Sequence, residues 1–222
     1  GSALAGAVAR ALAWVGSEGV GPAARAAVEL AARIEEPARR RDRLVELARG
    51  AIELPPLEAE ATLLAIAGSS TEADGPEAAL ALRLWAADSL VAVGSPRATE
   101  LLAGAIDGLD ERSTSVVLSN VARLASLAGP PASEDAGRRF DGLLEASGSL
   151  EVRLAIATGY LAGDERAGGG RIESALVGVD PAAAAGLGEV ASRLDGRRVL
   201  ALSRSIADPR ARLAFLASAS GE

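Results

Sequence analysis

The side chains of this chain that could do chemistry are carboxylates. The candidate groupings are Glu35-Glu36, Glu58 with Glu60, Asp107 with Asp110-Glu111, and Glu134-Asp135. Two neighbouring carboxyls can divide into a general acid and a general base, or can share a hard cation such as Mg2+ or Ca2+. Asp107 and Asp110 stand at i and i+3, a spacing that shares one helix face, although a turn is the simpler setting. Acids at helix starts and in solvated loops have the same look, and that plainer assignment fits all four groupings.

Missing residue types close off most other chemistry. The chain has no His and no Cys, and its 23 basic residues are all Arg. A Ser-His-Asp or Cys-His nucleophile, a Lys Schiff base and a phosphate-loop Lys are therefore excluded within this chain. Zinc sites built from Cys and His are excluded as well. No cofactor is implied, and the expectation is a protein that is not an enzyme.

One loop, GDERAGGGRIES (Gly163 to Ser174), has the look of a ligand cradle. Glycines feeding a helix start, with Arg171 alongside, can form an anion nest. The fixed spacing of a phosphate-loop fingerprint is missing, and a flexible connection between helical hairpins is the simpler reading. The basic clusters are Arg39 to Arg43, Arg138-Arg139 and Arg197-Arg198. Against a nucleic-acid role stands the overall balance of 30 acids to 23 Arg, a net charge of −7.

The elements that must position these groups read as helices. Only five aromatic residues occur (Trp14, Trp85, Phe140, Tyr160, Phe215), and no alternating Val/Ile/Thr run marks a strand. Leu44, Leu47, Ala48, Ala51 and Ile52 fall on one helical face. So do Leu82, Trp85, Ala86, Leu90 and Val93, and again Leu118, Val121, Ala122 and Ala125. Breaks fall at Gly16 to Gly21, Pro55-Pro56, Gly68 to Pro76, Gly94-Ser95-Pro96, Gly129-Pro130-Pro131, Gly163 to Gly170 and Asp208-Pro209. About a dozen short helices and no sheet are predicted.

A phrase recurs within this pattern. RIEEPARRRDRLVELARG (Arg33 to Gly50) is echoed by SIADPRARLAFLAS (Ser205 to Ser218). Each runs Ile, acid, Pro, several Arg, then Leu-x-x-Leu-Ala. Pro fixes the first turn of a helix, the acid before it lies at the positive end of the helix, and Leu-x-x-Leu-Ala supplies a stripe to bury. The small residue of this stripe recurs as Ala13, Ala48, Ala86, Ala122, Ala157, Ala191 and Ala217, about 35, 38, 36, 35, 34 and 26 residues apart. A near-constant period of this size is the mark of a helical repeat, with a compact helical bundle as the alternative. One hairpin cannot bury its apolar face alone, so copies stack, and the phrase is read as a packing joint.

The best copy resembles a tetratricopeptide-type hairpin: Leu82, Trp85 and Ala86 on a first helix, Gly94 near the turn, then Ala98, Leu102 and Ala105 on a second. Leu44, Leu47, Ala48, Leu64 and Ala67 resemble it less fully, and HEAT-type repeats are similar. The resemblance implies an all-α superhelix (solenoid) of about six helical hairpins, forming one domain over residues 3–222. It also implies a concave groove for a partner segment. Groove-facing positions carried over from the first helices are Arg49, Arg83, Asn120 and Arg123, with Arg suited to bidentate carboxylate recognition. The bland alternative pairs these Arg with neighbouring acids.

The functional expectation is a protein-interaction scaffold or adaptor whose partner is another protein or its own larger chain, with homo-oligomerisation as a further option. The second class is a nucleic-acid-binding, HEAT-like DNA-repair glycosylase using a basic groove, Trp and a catalytic Asp. Against it, the spacing assigns Trp85 to the core stripe. No uncharged apolar run reaches the roughly 18 residues that span a bilayer. No secretory pattern opens the chain, so a soluble, cytoplasmic protein is expected. Gly1-Ser2 reads as an expression-tag remnant that displaces the native N-terminus. The narrow, Ala- and Arg-rich alphabet fits a GC-biased coding sequence, and its lack of Gln, Cys and Met also fits heat adaptation.

Overall fold

A computed structural model describes residues 17–69, 76–110 and 112–221. Twelve α-helices occur among them, with no strand. The chain divides into two compact units between Ala105 and Ile106. Ala13, Trp14 and Glu111 of the sequence reading lie outside the described residues.

The first unit contains α1 (Ser17–Ala32), α2 (Pro37–Ala51), α3 (Pro56–Gly68) and α4 (Pro76–Ala92), and most of α5 (Ala98–Asp107). Neighbours pack as α1 on α2, α2 on α3 and α3 on α4, and alternate helices pack as α1 on α3 and α2 on α4. Val28, Leu44, Ala48, Leu63, Ile66, Leu82, Leu90 and Ala98 form the shared core. The break read at Gly16 to Gly21 is not one from Ser17 onward, where α1 has already begun. Gly21 is buried instead, and a Cβ there would lie 3.1 Å from Glu58 Cγ of α3. Its small size serves contact between helices, not a turn.

The second unit contains α6 (Ser115–Ala128), α7 (Ala132–Ser147), α8 (Leu150–Ala162), α9 (Gly170–Leu176), α10 (Pro181–Ala191), α11 (Gly196–Ser203) and α12 (Pro209–Ser220). Here α6 packs on α8, α8 on α10, and α10 on α12, so alternate helices form a row. α9 packs on α8 and α11. Helix starts follow the expected chemistry. Pro181 and Pro209 open α10 and α12, and Asp180, Asp195 and Asp208 each accept a backbone N–H of the first turn through their side chains. α7 stops at Gly148, whose positive φ of 57° lets its N–H turn back to the Leu144 carbonyl.

The period read from the sequence falls one rung to each even-numbered helix. Ala48, Ala86, Ala122, Ala157 and Ala191 lie on α2, α4, α6, α8 and α10, and each is 0% exposed. Ala217 on α12 is half-buried, on the side turned away from Phe215 and Ser218, which meet α10. In the other five pairs the small residue lies inward, where it admits the neighbouring helix, and Val121 and Ile156 are buried beside theirs. Trp85, assigned from its spacing to the core stripe, is 37% exposed. It is one residue, or 100° of helical rotation, from Ala86, which takes the inner position.

Glycine draws two of the alternate-helix contacts closer still. A Cβ on Gly159 of α8 would lie 2.3 Å from the Ser119 carbonyl oxygen and 2.6 Å from Ala122 Cβ on α6. A Cβ on Gly188 of α10 would lie 2.3 Å from the Phe215 carbonyl oxygen on α12. Such distances leave no room for a methyl group, so backbone meets backbone at both joints.

Polar ties recur near the same period. Ser95 Oγ donates to Glu60 Oε2 at 2.5 Å, Ser115 Oγ to Glu151 Oε1 at 2.6 Å, and the Asp164 N–H to Ser126 Oγ at 2.9 Å. These pairs are 35, 36 and 38 residues apart. Three Arg reach back 30 residues: Arg139 to the Leu109 carbonyl, Arg171 to Asp141, and Arg193 to the Gly163 carbonyl at 3.2 Å. Each links one stretch of chain to the stretch about one period earlier.

Candidate functional site

The second unit carries a groove of about 590 Å3 where the first halves of α6 and α8 run side by side. Ser115, Val116, Ser119 and Asn120 line it from α6, and Leu150, Glu151, Leu154, Ala155 and Thr158 from α8. The Thr114 hydroxyl accepts from the Val117 N–H and fixes the start of α6. The groove exists because α6 and α8 are held together farther along, at Gly159, Gly163, Ala122 and Ser126. Towards their starts the pair that meets across the helices is Ser115 and Glu151, and Val116, Leu150 and Leu154 line the walls.

The accessible surface of the groove is largely apolar, although five of its nine lining residues, Ser115, Ser119, Asn120, Glu151 and Thr158, carry polar groups. Val116 is 70% exposed. Glu151 Oε1 accepts from Ser115 Oγ, and Thr158 Oγ1 donates to the Leu154 carbonyl at 2.7 Å. No cation among the described residues pairs with Glu151. The groove can therefore seat aliphatic side chains and offers one carboxylate and one carboxamide, that of Asn120, for orientation.

Of the four residues carried over from the repeat resemblance, Asn120 lines this groove. Arg123, one turn along α6, is half-buried and engaged, and its backbone lies 2.7 Å from where a Gly163 Cβ would be. Arg49 and Arg83 belong to the first unit. Arg49 stands over the Trp85 ring at 4.9 Å from its centroid, a cation–π contact. Arg83 is exposed, with Nη1 3.8 Å from the position of a Gly104 Cβ. The four are thus split, Arg49 and Arg83 in the first unit and Asn120 and Arg123 in the second.

Val116, Leu150, Glu151 and Leu154 were not singled out in the sequence. A signal was present for Val116, an apolar residue on the side of α6 away from the Leu118, Val121, Ala122, Ala125 stripe. Leu150, at the first turn of α8, gives a similar one.

The carboxylate groupings are placed as ordinary surface acids. Glu35 and Glu36 are exposed, Glu60 accepts from Ser95, and Asp110 Oδ1 accepts from the Arg112 N–H at 2.9 Å in a turn. Glu134 and Asp135 lie in the first turn of α7, where Asp135 pairs with Arg138. Among the described residues no group of three or more acids is placed to hold a metal ion.

The basic clusters are largely answered locally. Arg41 lies 3.8 Å from Asp42, Arg43 Nη1 2.5 Å from Glu46, and Arg198 Nε 3.4 Å from Glu165. The loop read as a flexible connection is a packed one. Glu165–Gly168 forms a 3-10 turn against α8, with Gly168, Ile172, Ala175 and Leu176 buried. Arg171, the candidate nest residue, is committed to both oxygens of Asp141.

Among the described residues the titratable group whose setting shifts it clearly is Tyr160. It is fully buried, edge-on to Phe140 with ring centroids 6.2 Å apart, and its hydroxyl takes no hydrogen bond among the described residues. Burial pushes its phenol above the ordinary 10.0, Arg171 nearby opposes the shift, and Asp141 adds to it.

Comparison with protein-family models, with curated proteins and with solved structures finds no match for this chain. Among the described residues no helix is long and apolar enough to cross a membrane.

Proposed function

We propose that this chain is a non-catalytic interaction scaffold, built of stacked tetratricopeptide- or HEAT-like helical hairpins, that binds a segment of a protein partner in the α6/α8 groove. The observation that carries the reading is the groove itself, an apolar cleft between two helices whose spacing is locked by glycine. A cleft fixed by backbone contacts loses little freedom when occupied, which favours binding. Close approach of α6 to α8 and of α10 to α12 supports a curvature that makes this row the inner face of the second unit. Asn120 then stands on the face that the repeat resemblance assigns to partners.

The local pairing of Arg41, Arg43, Arg138 and Arg198 leaves less positive charge for phosphates, which weighs against the nucleic-acid alternative. The test is a paired capture from extracts of the source cells, with nuclease present, using the wild type and Val116→Arg. A protein retained by the wild type and lost with Val116→Arg supports the reading. Equal recovery by both forms, or salt-dependent duplex binding by the purified chain, contradicts it.

A further inference from the structure

The second unit also carries a surface that complements the groove. On α12, Arg210, Leu213 and Ala217 fall at i, i+3 and i+7, along the side away from Phe215 and Ala211, which are buried. Leu213 is 69% exposed, and the Arg210 side chain has no partner among the described residues. An exposed leucine one turn from an unneutralised cation is the converse of an apolar groove bearing an unneutralised carboxylate.

We infer that the groove of one copy takes α12 of a second copy, with Leu213 seated between Val116 and Leu154 and Arg210 meeting Glu151. The inference rests on the proposed groove function and names its occupant. Both groups already have what such a contact needs. Glu151 is held in place by Ser115, and Arg210 is carried on a helix start fixed by the Asp208 cap. The two surfaces lie on different helices, so the contact is head-to-tail and each added copy presents both surfaces again. A single helix in one groove makes a small interface, so association is weak, concentration-dependent and weakened by salt.

The test is sedimentation velocity of the purified full chain at rising concentration, in low and high salt. The wild type is expected to grow beyond a dimer as concentration rises. Glu151→Arg and Arg210→Glu each place like charges together and are expected to weaken association by roughly tenfold or more. An equimolar mixture of the two single variants, and the double variant E151R/R210E, regain it, because every contact then joins opposite charges. This rescue separates a lost contact from a damaged fold.

A wild type that stays monomeric at all concentrations overturns the inference, as do single variants that associate like the wild type. If the chain is monomeric while Val116→Arg still loses a captured protein, the self-contact fails and the groove reading stands. If Val116→Arg changes neither, both fail.

Discussion

Arg212 reaches back six residues to the Ile206 carbonyl, with Nη2 at 2.6 Å and Nε at 3.0 Å, and Arg40 makes the same reach to the Ile34 carbonyl at 2.6 Å. These are matching positions of the repeated phrase. In each copy the Arg of the new helix takes up a carbonyl left unpaired where the previous helix ends. The phrase thus encodes a bond between successive helices as well as a buried stripe. Arg40 is buried and Arg212 exposed, so the two should differ in weight. Arg40→Ala is expected to cost about 2 kcal/mol and Arg212→Ala about 1 kcal/mol, read from urea unfolding. Equal, negligible effects would reduce the shared phrase to its apolar residues.

The copies differ at the helix cap. Asp208 accepts from the Arg210 N–H at 2.9 Å, whereas Glu36, with nearly the same backbone angles, makes no side-chain cap bond. The extra methylene carries the Glu carboxylate past the first-turn N–H groups. Glu36→Asp should therefore stabilise the chain by about 0.5–1 kcal/mol, seen as a higher melting temperature. A lower one would show that Glu36 has a role the cap geometry does not explain.

Two glycines of α10 separate helix propensity from helix contact. A Cβ on Gly186 meets nothing within 4 Å, while one on Gly188 meets the Phe215 carbonyl at 2.3 Å. Gly186→Ala is expected to gain up to about 1 kcal/mol from propensity. Gly188→Ala is expected to lose about 1–3 kcal/mol by forcing α12 away. Denaturant melts of the two variants side by side decide it, and the same sign for both would contradict a backbone-close joint.

Tyr160 is the chain's only tyrosine, so its phenolate absorbance reports one site. In the unfolded chain it should titrate near the ordinary 10.0, and in the folded chain above that. Between these values the unfolded state releases a proton that the folded state keeps. Burial of the neutral phenol thus contributes stability below about pH 10 that is lost as pH rises through the folded value. Because the hydroxyl takes no hydrogen bond among the described residues, Tyr160→Phe should leave stability unchanged or raise it by about 1 kcal/mol. A clear loss would mean that the hydroxyl is satisfied in solution.

The helices and their period were legible because both rest on local chemistry. Pro37, Pro56, Pro181 and Pro209 open helices, and the Ala ladder marks one buried contact per alternate helix. What the period could not say is which member of each large-small pair turns inward. Val121 and Ile156 do so beside their Ala, whereas Trp85 does not, since that depends on how close the next helix stands. The loop at Gly163 to Ser174 misled for a related reason: its glycines allow close packing, with Gly168 against Ile172 and Tyr160. Of the groove, Asn120 was legible through the repeat register. The apolar walls were not, because they join two helix starts 36 residues apart through side chains off both buried stripes.

The most direct test of the central claim is site-specific photo-cross-linking from position 116 in extracts of the source cells, with position 142 on α7 as the control. The account predicts discrete protein adducts, a second copy of the chain among them, from position 116 and not from position 142. The same diffuse pattern from both positions, or no adduct from either, would contradict a binding role for the α6/α8 groove.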